Sequence, residues 1–295
     1  MSALLEVRGL RKSYRQPWLN RGSGDGWFHA VKNVSLSLNR GETYAVVGES
    51  GAGKSTLGRL ILRLIEPDAG SVICEGRDML ALPPRQLRLA RAGMQMVFQD
   101  PYSSLDPKMS IGASVAEPLV ALTPMAASER EARVADLLTR VGLGGDFLHR
   151  FPHELSGGQL QRVAIARAIS TNPGLVVCDE PVAALDMSIR AQVLNLLRDL
   201  QEERGISYIF ITHDLSLVSV LAHEVAVMRL GEVVEQGNAE QVFRDPQQAY
   251  TRELLRSIPS TTPRRRNLIH DEGALAPLPL RPTTGSHLPL ATVSN

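Results

Sequence analysis

The sequence lacks the features typical of secreted and membrane-spanning proteins. It has two cysteines in 295 residues, Cys74 and Cys178, too few for a disulfide framework or a cysteine-rich metal cluster, which fits a reducing cytosol. No apolar run approaches the roughly 18 residues needed to cross a bilayer. The first residues lack the apolar segment of a signal peptide. We therefore expect any association with a membrane to be peripheral.

An excess of charge of either sign is also missing. The formal net charge is +1, which argues against a surface devoted to nucleic acid. Hydrophobic residues make up 43% and charged residues 21% of the chain, as in ordinary globular proteins. A chain of this length can form one large domain with a subdomain, or two smaller domains.

A glycine-rich turn between a short strand and a helix is the most informative stretch of the sequence. It matches the phosphate-loop pattern G-x-x-x-x-G-K-[ST]. Glycines allow positive φ and bring backbone N–H groups close to an anion, and the helix that follows adds the positive end of its dipole. The pattern predicts an ATP site formed by Gly48, Glu49, Ser50, Gly51, Ala52, Gly53, Lys54, Ser55 and Thr56.

Two residues of this loop have predicted roles beyond the backbone. The ammonium group of Lys54 can reach the β- and γ-phosphates, and the hydroxyl of Ser55 can bind Mg²⁺.

The apolar run 174–178 predicts a strand buried on both faces, and Asp179 and Glu180 follow it directly. We predict that Asp179 holds Mg²⁺ and that Glu180 activates the attacking water as a general base.

Gln99 and His213 also follow predicted strands. Because the carboxyl ends of parallel strands meet at one edge of a sheet, both side chains should lie beside the phosphate loop. We expect Gln99 to bind Mg²⁺ or the attacking water, and His213 to hydrogen-bond the γ-phosphate.

An aromatic side chain ahead of the phosphate-loop strand could stack on the adenine. Tyr14 is the predicted residue, and Trp18, Trp27 and Phe28 are its rivals. The alternative is that Tyr14 only packs on the rim of the sheet.

Strands and helices alternate along most of the chain, which predicts an α/β fold with a mostly parallel sheet covered by helices. We predict a phosphate-loop NTPase core with an antiparallel N-terminal β portion and a helical subdomain at about 100–171. A turn-rich surface loop is expected at 15–26. Predicted strands are residues 4–10, 34–38, 70–75, 94–98, 174–178, 207–212, 225–230 and 233–236.

Composition changes after residue 258. Proline, threonine, serine and glycine dominate residues 259–295, and we expect a largely disordered tail. Its Arg264–Arg266 cluster could contact anionic lipid or a partner, or could simply be solvated.

A five-residue motif precedes the helix that leads to the acidic strand end: Leu155, Ser156, Gly157, Gly158 and Gln159. With this motif the chain resembles an ATPase subunit of ABC transporters over about residues 3–258, and we take residues 1–258 as the ATPase domain. The resemblance implies that this signature binds the γ-phosphate of ATP held by a second ATPase subunit, either the same chain or a paralogue. It also implies a D-loop that reaches across this dimer, at Ala184, Leu185 and Asp186.

Two further stretches narrow the resemblance. Residues 94–109 and 241–259 are similar to the ATPases of dipeptide, oligopeptide, nickel and glutathione importers. This implies an ATP-hydrolysing, Mg²⁺-dependent subunit at the cytoplasmic face of the membrane, which powers uptake of peptides or a related small solute. Its implied partners are two transmembrane permeases and an extracytoplasmic substrate-binding protein. Some of these relatives hold an iron–sulfur cluster through cysteines near the C-terminus. No cysteine follows Cys178 in this chain, so no such cluster is expected.

Two alternatives within the same family remain open. The chain could be the ATPase of an exporter, which the segment 245–259 disfavours. It could also be a non-transport ABC ATPase acting in DNA repair or on the ribosome. Such proteins usually have a long coiled coil or two tandem ATPase units, whereas this sequence has one phosphate loop and no sustained heptads. A metabolic phosphate-loop kinase would leave the signature motif unexplained.

Overall fold

The computed structural model describes residues 3–15 and 26–257. Three predictions lie outside the described residues: the rival aromatic Trp18, most of the loop 15–26, and the tail 259–295 with its arginine cluster.

The elements follow one another in the predicted alternation of strands and helices. The strands are β1 (Leu5–Arg15), β2 (Trp27–Leu38), β3 (Thr43–Val47), β4 (Ala69–Cys74), β5 (Arg77–Asp78), β6 (Met94–Val97), β7 (Leu175–Asp179), β8 (Ser207–Thr212), β9 (Glu224–Arg229) and β10 (Glu232–Asn238). The helices are α1 (Lys54–Ile61), α2 (Pro84–Ala90), α3 (Ile111–Leu122), α4 (Ala127–Arg140), α5 (Gly157–Ala168), α6 (Met187–Arg204), α7 (Leu215–Leu221), α8 (Ala239–Arg244) and α9 (Ala249–Arg256).

These strands form two sheets. The larger has the order β10-β9-β3-β8-β7-β6 and is parallel except for β10, which pairs with β9 in an antiparallel hairpin. The smaller has the order β2-β1-β4-β5 and is antiparallel. The predicted fold class, a mostly parallel sheet with an antiparallel N-terminal portion, is therefore confirmed.

The central strands place the functional residues at one edge. Strands β3, β7 and β8 are buried along their whole length, as expected for parallel strands covered on both faces. Val47 pairs with Thr212, and Asp179 pairs with Ile211. Because the strands are parallel and in this register, the phosphate loop after Val47 and the loops after Asp179 and Thr212 leave the sheet side by side.

The predicted helical segment lies between β6 and β7, where the described residues contain no strand. Its helices share a hydrophobic core with one face of the larger sheet, since Leu137 and Ile165 belong to the same buried cluster as Val176 and Phe210. Packing on the sheet therefore holds the signature helix α5. In the described part of the chain, no helix combines the length and apolar character needed to cross a bilayer.

Two predicted boundaries near β1 are wrong: the end of the strand at residue 10 and the start of the loop at residue 15. The strand continues five residues beyond the predicted end at Leu10, so that Arg15 pairs with Trp27 and does not open a loop. Register shifts between Val7 and Ser13 interrupt the pairing of β1 with β2. Such bulges break the alternation of apolar and polar side chains by which a strand is recognised in a sequence.

Candidate functional site

The phosphate loop has a backbone that only glycine can form at two positions. Gly48 and Gly53 have φ of 148° and 100°. A Cβ at Gly48 would lie 2.2 Å from the carbonyl oxygen of Met228, and one at Gly53 would lie 2.0 Å from that of Ala30. The loop is thus packed against neighbouring backbone, and both glycines of the motif are required by space as well as by φ.

Helix α1 begins directly after this loop and has no side-chain cap. Gly53 occupies the N-cap position in the left-handed conformation, and the first turn holds no acidic residue. The first N–H groups of a helix have no partners within the helix, and the helix dipole adds partial positive charge there. The start of α1 can therefore bind an anion such as a phosphate group.

Lys54 lies over the loop at the start of this helix. Its ammonium group donates hydrogen bonds of 2.8 Å to the carbonyl oxygens of Gly48 and Glu49, and the residue is buried. Burial lowers the pKa of Lys54, while the nearby carboxylates of Glu180 and Asp179 act in the opposite direction. A buried cation with lowered pKa is stabilised by an anion, which is what a polyphosphate would supply.

Ser55 and Asp179 form the candidate Mg²⁺ site. The Ser55 hydroxyl donates to Oδ1 of Asp179 at 2.8 Å, and Asp179 is 2% exposed. Burial raises the pKa of Asp179, while the hydrogen bond from Ser55 and the charge of Arg59 lower it. A hydroxyl and a carboxylate are hard oxygen ligands of the kind that Mg²⁺ prefers. These residues fit the ion, which when bound would neutralise charge on the phosphates.

Glu180 lies between Gln99 and His213. Gln99 Nε2 donates to Oε2 of Glu180 at 3.3 Å, and His213 Nδ1 lies 3.1 Å from Oε1. The three residues that the sequence places at strand ends are thus joined by hydrogen bonds at one edge of the sheet. Glu180 has φ of 47°, a left-handed conformation that is strained for a residue with a side chain. Its amide donates to the carbonyl of Ile211 at 2.9 Å, which holds this backbone in place.

The hydrogen bond to Glu180 also fixes the orientation of the histidine ring. Nδ1 of His213 faces the carboxylate at 3.1 Å, and a carboxylate oxygen accepts the hydrogen bond when Nδ1 carries the hydrogen. Nε2 is then the ring nitrogen left for another partner, and the His213 side chain is 59% exposed. This exposed nitrogen is placed to contact a phosphate oxygen.

The signature motif begins helix α5. Ser156 is its N-cap and accepts a hydrogen bond from the amide of Gln159, whose side chain accepts one from the amide of Ser156. This reciprocal capping box fixes the turn. Gly158 packs against Ile189 so closely that a Cβ would lie 2.7 Å from its side chain, while nothing lies within 4 Å of a Cβ at Gly157. Ser156 and Gly157 are exposed.

The predicted D-loop lies between Glu180 and helix α6. Asp186 caps α6 by accepting a hydrogen bond of 3.0 Å from the amide of Ile189, and Ala184 is exposed. A cavity of about 180 Å³ separates this loop from Gln99 and from the start of α5. Its lining includes Gln99, Tyr102, Gly157, Gln161, Glu180 and Leu185.

The predicted adenine-stacking residue lies at the end of the β1–β2 pair. Tyr14 pairs with Phe28, and the ammonium group of Lys12 lies 5.6 Å from the centre of the Tyr14 ring. Tyr14, Trp27 and Phe28 are all partly exposed here. The choice of Tyr14 over these two neighbours stays a prediction.

Two contacts at the site are absent from the sequence-based description. The amide of Glu49 donates a hydrogen bond to the hydroxyl of Tyr250, 201 residues further along the chain. Arg190 on α6 forms an ion pair of 3.0 Å with Asp214, the residue after His213. No local pattern signals either contact, because each depends on how distant segments meet in the folded chain.

Comparisons with known proteins agree on the family. Residues 31–183 match the ABC transporter family, and residues 234–285 match the oligopeptide/dipeptide transporter C-terminal region. A glutathione import ATP-binding protein of Shigella dysenteriae serotype 1 is 49% identical over 264 residues, which are 89% of this chain and 42% of that protein. A dipeptide transport ATP-binding protein of Haemophilus influenzae is 49% identical over 257 residues, 87% of this chain and 78% of that protein. The chain thus spans less than half the length of the glutathione import protein.

Solved structures of ATP-binding cassettes share the fold. A dimeric cassette in a post-hydrolysis state, bound to ADP and Pi, is 31% identical with a TM-score of 0.71, covering 80% of this chain and 98% of that one. CbiO1 of Clostridium perfringens, part of the ABC transporter complex cbiONQ, is 30% identical with a TM-score of 0.73, covering 92% and 100%. The resemblance predicted from the motifs is confirmed: the chain belongs to the ABC transporter family, among relatives of dipeptide and glutathione import ATP-binding proteins.

Proposed function

We propose that this chain hydrolyses ATP to ADP and phosphate and thereby powers the uptake of peptides or a related small solute by an ABC importer. The observation that carries the proposal is the position of the Glu180 carboxylate between Gln99 and His213. This carboxylate lies beside the Asp179–Ser55 pair at the edge of the sheet where the phosphate loop begins.

The residues divide the chemistry among them. Lys54 and the loop amides hold the phosphates, and Ser55, Asp179 and Gln99 hold Mg²⁺. Glu180 accepts a proton from the water that attacks the γ-phosphorus. His213 contacts the γ-phosphate through Nε2 and keeps Glu180 oriented through Nδ1. Tyr14 stacks on the adenine.

The active unit is a sandwich of two ATPase subunits, either two copies of this chain or this chain with a paralogue. In it, the signature turn 155–159 of one subunit binds the γ-phosphate of ATP on the other, and the D-loop 184–186 reaches across. The exposure of Ser156, Gly157 and Ala184 supports this role, since these groups are available to a second chain. One of the structural neighbours is also a dimer.

The importer assignment extends to partners and location. We infer that two transmembrane permeases bind the ATPase pair at the cytoplasmic face of the membrane, and that an extracytoplasmic binding protein delivers the solute. The match of residues 234–285 to the oligopeptide/dipeptide C-terminal region supports an importer over an exporter or a non-transport ATPase. Two relatives are named for dipeptide transport and glutathione import, which suggests short peptides as the solute class.

A reconstituted complex tests this function. The tagged chain is purified from detergent extracts of its own cells, and the recovered complex is placed in vesicles with ATP on the side of the ATPase. We expect hydrophobic permeases to co-purify and labelled dipeptide or glutathione to cross only with ATP. The matched control, Glu180→Gln, should recover the same permeases and support no uptake. Recovery without permeases, or ATP-dependent movement in the opposite direction, would contradict the importer assignment.

A further inference from the structure

Tyr250 connects the C-terminal part of the described chain to the phosphate loop. It lies on α9, and its hydroxyl accepts a hydrogen bond of 3.4 Å from the amide of Glu49. Glu49 directly follows Gly48, the first glycine of the loop motif. The hydroxyl therefore contacts the first part of the loop, directly after the end of β3.

Packing fixes the ring that carries this hydroxyl. Tyr250 is 8% exposed, and the guanidinium of Arg229 lies over its ring at 4.8 Å from the centre. The ring belongs to a hydrophobic cluster with Ala45 and Val47 of β3, the strand that leads into the loop. The hydroxyl thus has a defined position relative to this strand and does not depend on a mobile side chain.

Two other contacts restrain the start of the loop at Gly48 and Glu49. Gly48 packs against the carbonyl of Met228, and Lys54 donates to the carbonyl oxygens of Gly48 and Glu49. If Lys54 turns towards phosphate, its bonds to these carbonyls are released. The contact with Tyr250 does not involve Lys54 and can restrain the Glu49 peptide in either state.

The segment that carries Tyr250 is itself anchored to the sheet. Both carboxylate oxygens of Glu235 on β10 accept hydrogen bonds, from the amide of Gln247 at 2.7 Å and from that of Gln248 at 3.1 Å. These bonds place the start of α9, so that Tyr250 reaches the loop. This segment lies outside residues 31–183, which match the general ABC family, and inside residues 234–285, which match the oligopeptide/dipeptide C-terminal region.

We propose that Tyr250 is a positioning residue for ATP: its hydroxyl holds the Glu49 peptide so that the phosphate loop is already shaped for the nucleotide. The C-terminal segment then contributes to the ATP affinity of a site to which it supplies no phosphate ligand. A loop held in its bound shape loses less conformational freedom on binding, so the contact acts on affinity. The inference rests on the proposed binding of ATP at this loop.

Removal of a single oxygen atom tests the proposal. Tyr250→Phe keeps the packed ring and its contact with Arg229 and removes only the acceptor for the Glu49 amide. We expect the Kd and KM for ATP to rise by roughly 2-fold to 10-fold, the effect of losing one neutral hydrogen bond. The kcat at saturating ATP should stay within error of wild type.

Tyr208→Phe is the matched control. Tyr208 is also buried, and its hydroxyl donates a hydrogen bond of 3.0 Å to the carbonyl of Leu197, away from the phosphate loop. This variant should lower Tm and leave the ATP affinity unchanged. A structural role for Tyr250 would instead give a fall in Tm without a change in KM, as in the control.

The measurements distinguish a failure of the positioning role from a failure of the proposed function. If wild type binds ATP and Tyr250→Phe binds it equally well, the positioning role is wrong while the proposed function stands. A fall in kcat at unchanged KM would also overturn the positioning role. If the wild-type chain binds no ATP with Mg²⁺ present, the proposed function fails and the inference fails with it.

Discussion

The hydroxyl of Ser55 donates a hydrogen bond of 2.8 Å to the carboxylate of Asp179, which joins the start of α1 to the end of β7. This pair links two motifs that are 124 residues apart in the sequence. Burial raises the pKa of Asp179, which means that folding disfavours its charged form. The carboxylate is therefore expected to serve ligand binding at some cost to stability.

Asp179→Asn should separate these two effects. The neutral amide can still accept the hydrogen bond from Ser55 and costs less to bury than a carboxylate. We expect a higher Tm for the nucleotide-free variant at neutral pH, by roughly 2–4 °C for each kcal/mol gained in a domain of this size. Mg²⁺-dependent ATP binding should fall by at least about tenfold, the lower end of losses seen for residues that only support metal ligands. Thermal unfolding and ATP titration with and without Mg²⁺ measure both.

The stability difference between Asp179→Asn and the wild type depends on pH, because only the wild type carries the titrating carboxyl. Because the folded pKa of Asp179 is raised, the folded state takes up a proton at a pH where the unfolded chain does not. The stability gained by this protonation is present at low pH and is lost as pH rises from the unfolded value of about 3.9 through the higher folded value. The Tm difference between Asp179→Asn and wild type should therefore grow with pH across this window. A difference that stays constant would contradict the raised pKa.

Glu180→Gln should separate nucleotide binding from turnover. Glutamine keeps the length of the side chain and can still bond Gln99 and His213, but it cannot accept the proton of the attacking water. We expect near-normal ATP affinity and a turnover at least about 100-fold lower, the usual loss for a general base. The ATP-bound dimer of this variant should then accumulate. Light scattering would detect it as a doubling of the molecular mass on addition of ATP. Lys54→Ala should form no such dimer, and near-normal turnover in Glu180→Gln would remove Glu180 from its role.

The position of the catalytic edge can be predicted from the sequence because Gln99, Glu180 and His213 each follow a strand. Strands β3, β7 and β8 are mostly apolar and buried along their whole length, and parallel pairing brings the residues at their carboxyl ends to one edge whatever the strand order. The functional assignments of Asp179, Glu180 and His213 therefore needed no knowledge of which strand lies beside which.

The strand order itself could not be predicted. β3 lies between β8 and β9, although more than 150 residues separate it from either in the sequence. This order depends on the paths of the connections, which the alternation of apolar residues does not record. The contact between Tyr250 and the Glu49 amide depends on the same packing. The true end of β1 was missed for a local reason, since bulges interrupt its pattern.

Gly48→Ala should abolish ATP binding through backbone displacement. Its Cβ would lie 2.2 Å from the carbonyl oxygen of Met228, so the loop or β9 must move. Gly76→Ala is the control: this glycine also has positive φ, 74°, but nothing lies within 4 Å of the added Cβ. We expect Gly76→Ala to cost about 1–2 kcal/mol of stability from the left-handed backbone alone and to bind ATP normally. If both variants bind ATP equally well, the loop tolerates displacement and the steric argument fails.

Ser156→Ala should reveal the shared site when compared with a matched helix cap. Ser156 caps α5, and Ser110 caps α3 by accepting a hydrogen bond from the amide of Ala113 at 3.3 Å. Either substitution by alanine removes one capping bond and should cost about 1 kcal/mol of stability. Only Ser156→Ala should also reduce turnover and weaken the ATP-dependent dimer in the Glu180→Gln background, because only Ser156 belongs to the signature turn. If Ser156→Ala matches Ser110→Ala in dimer formation as well as in Tm, the hydroxyl serves its own helix alone and makes no contact across the sandwich.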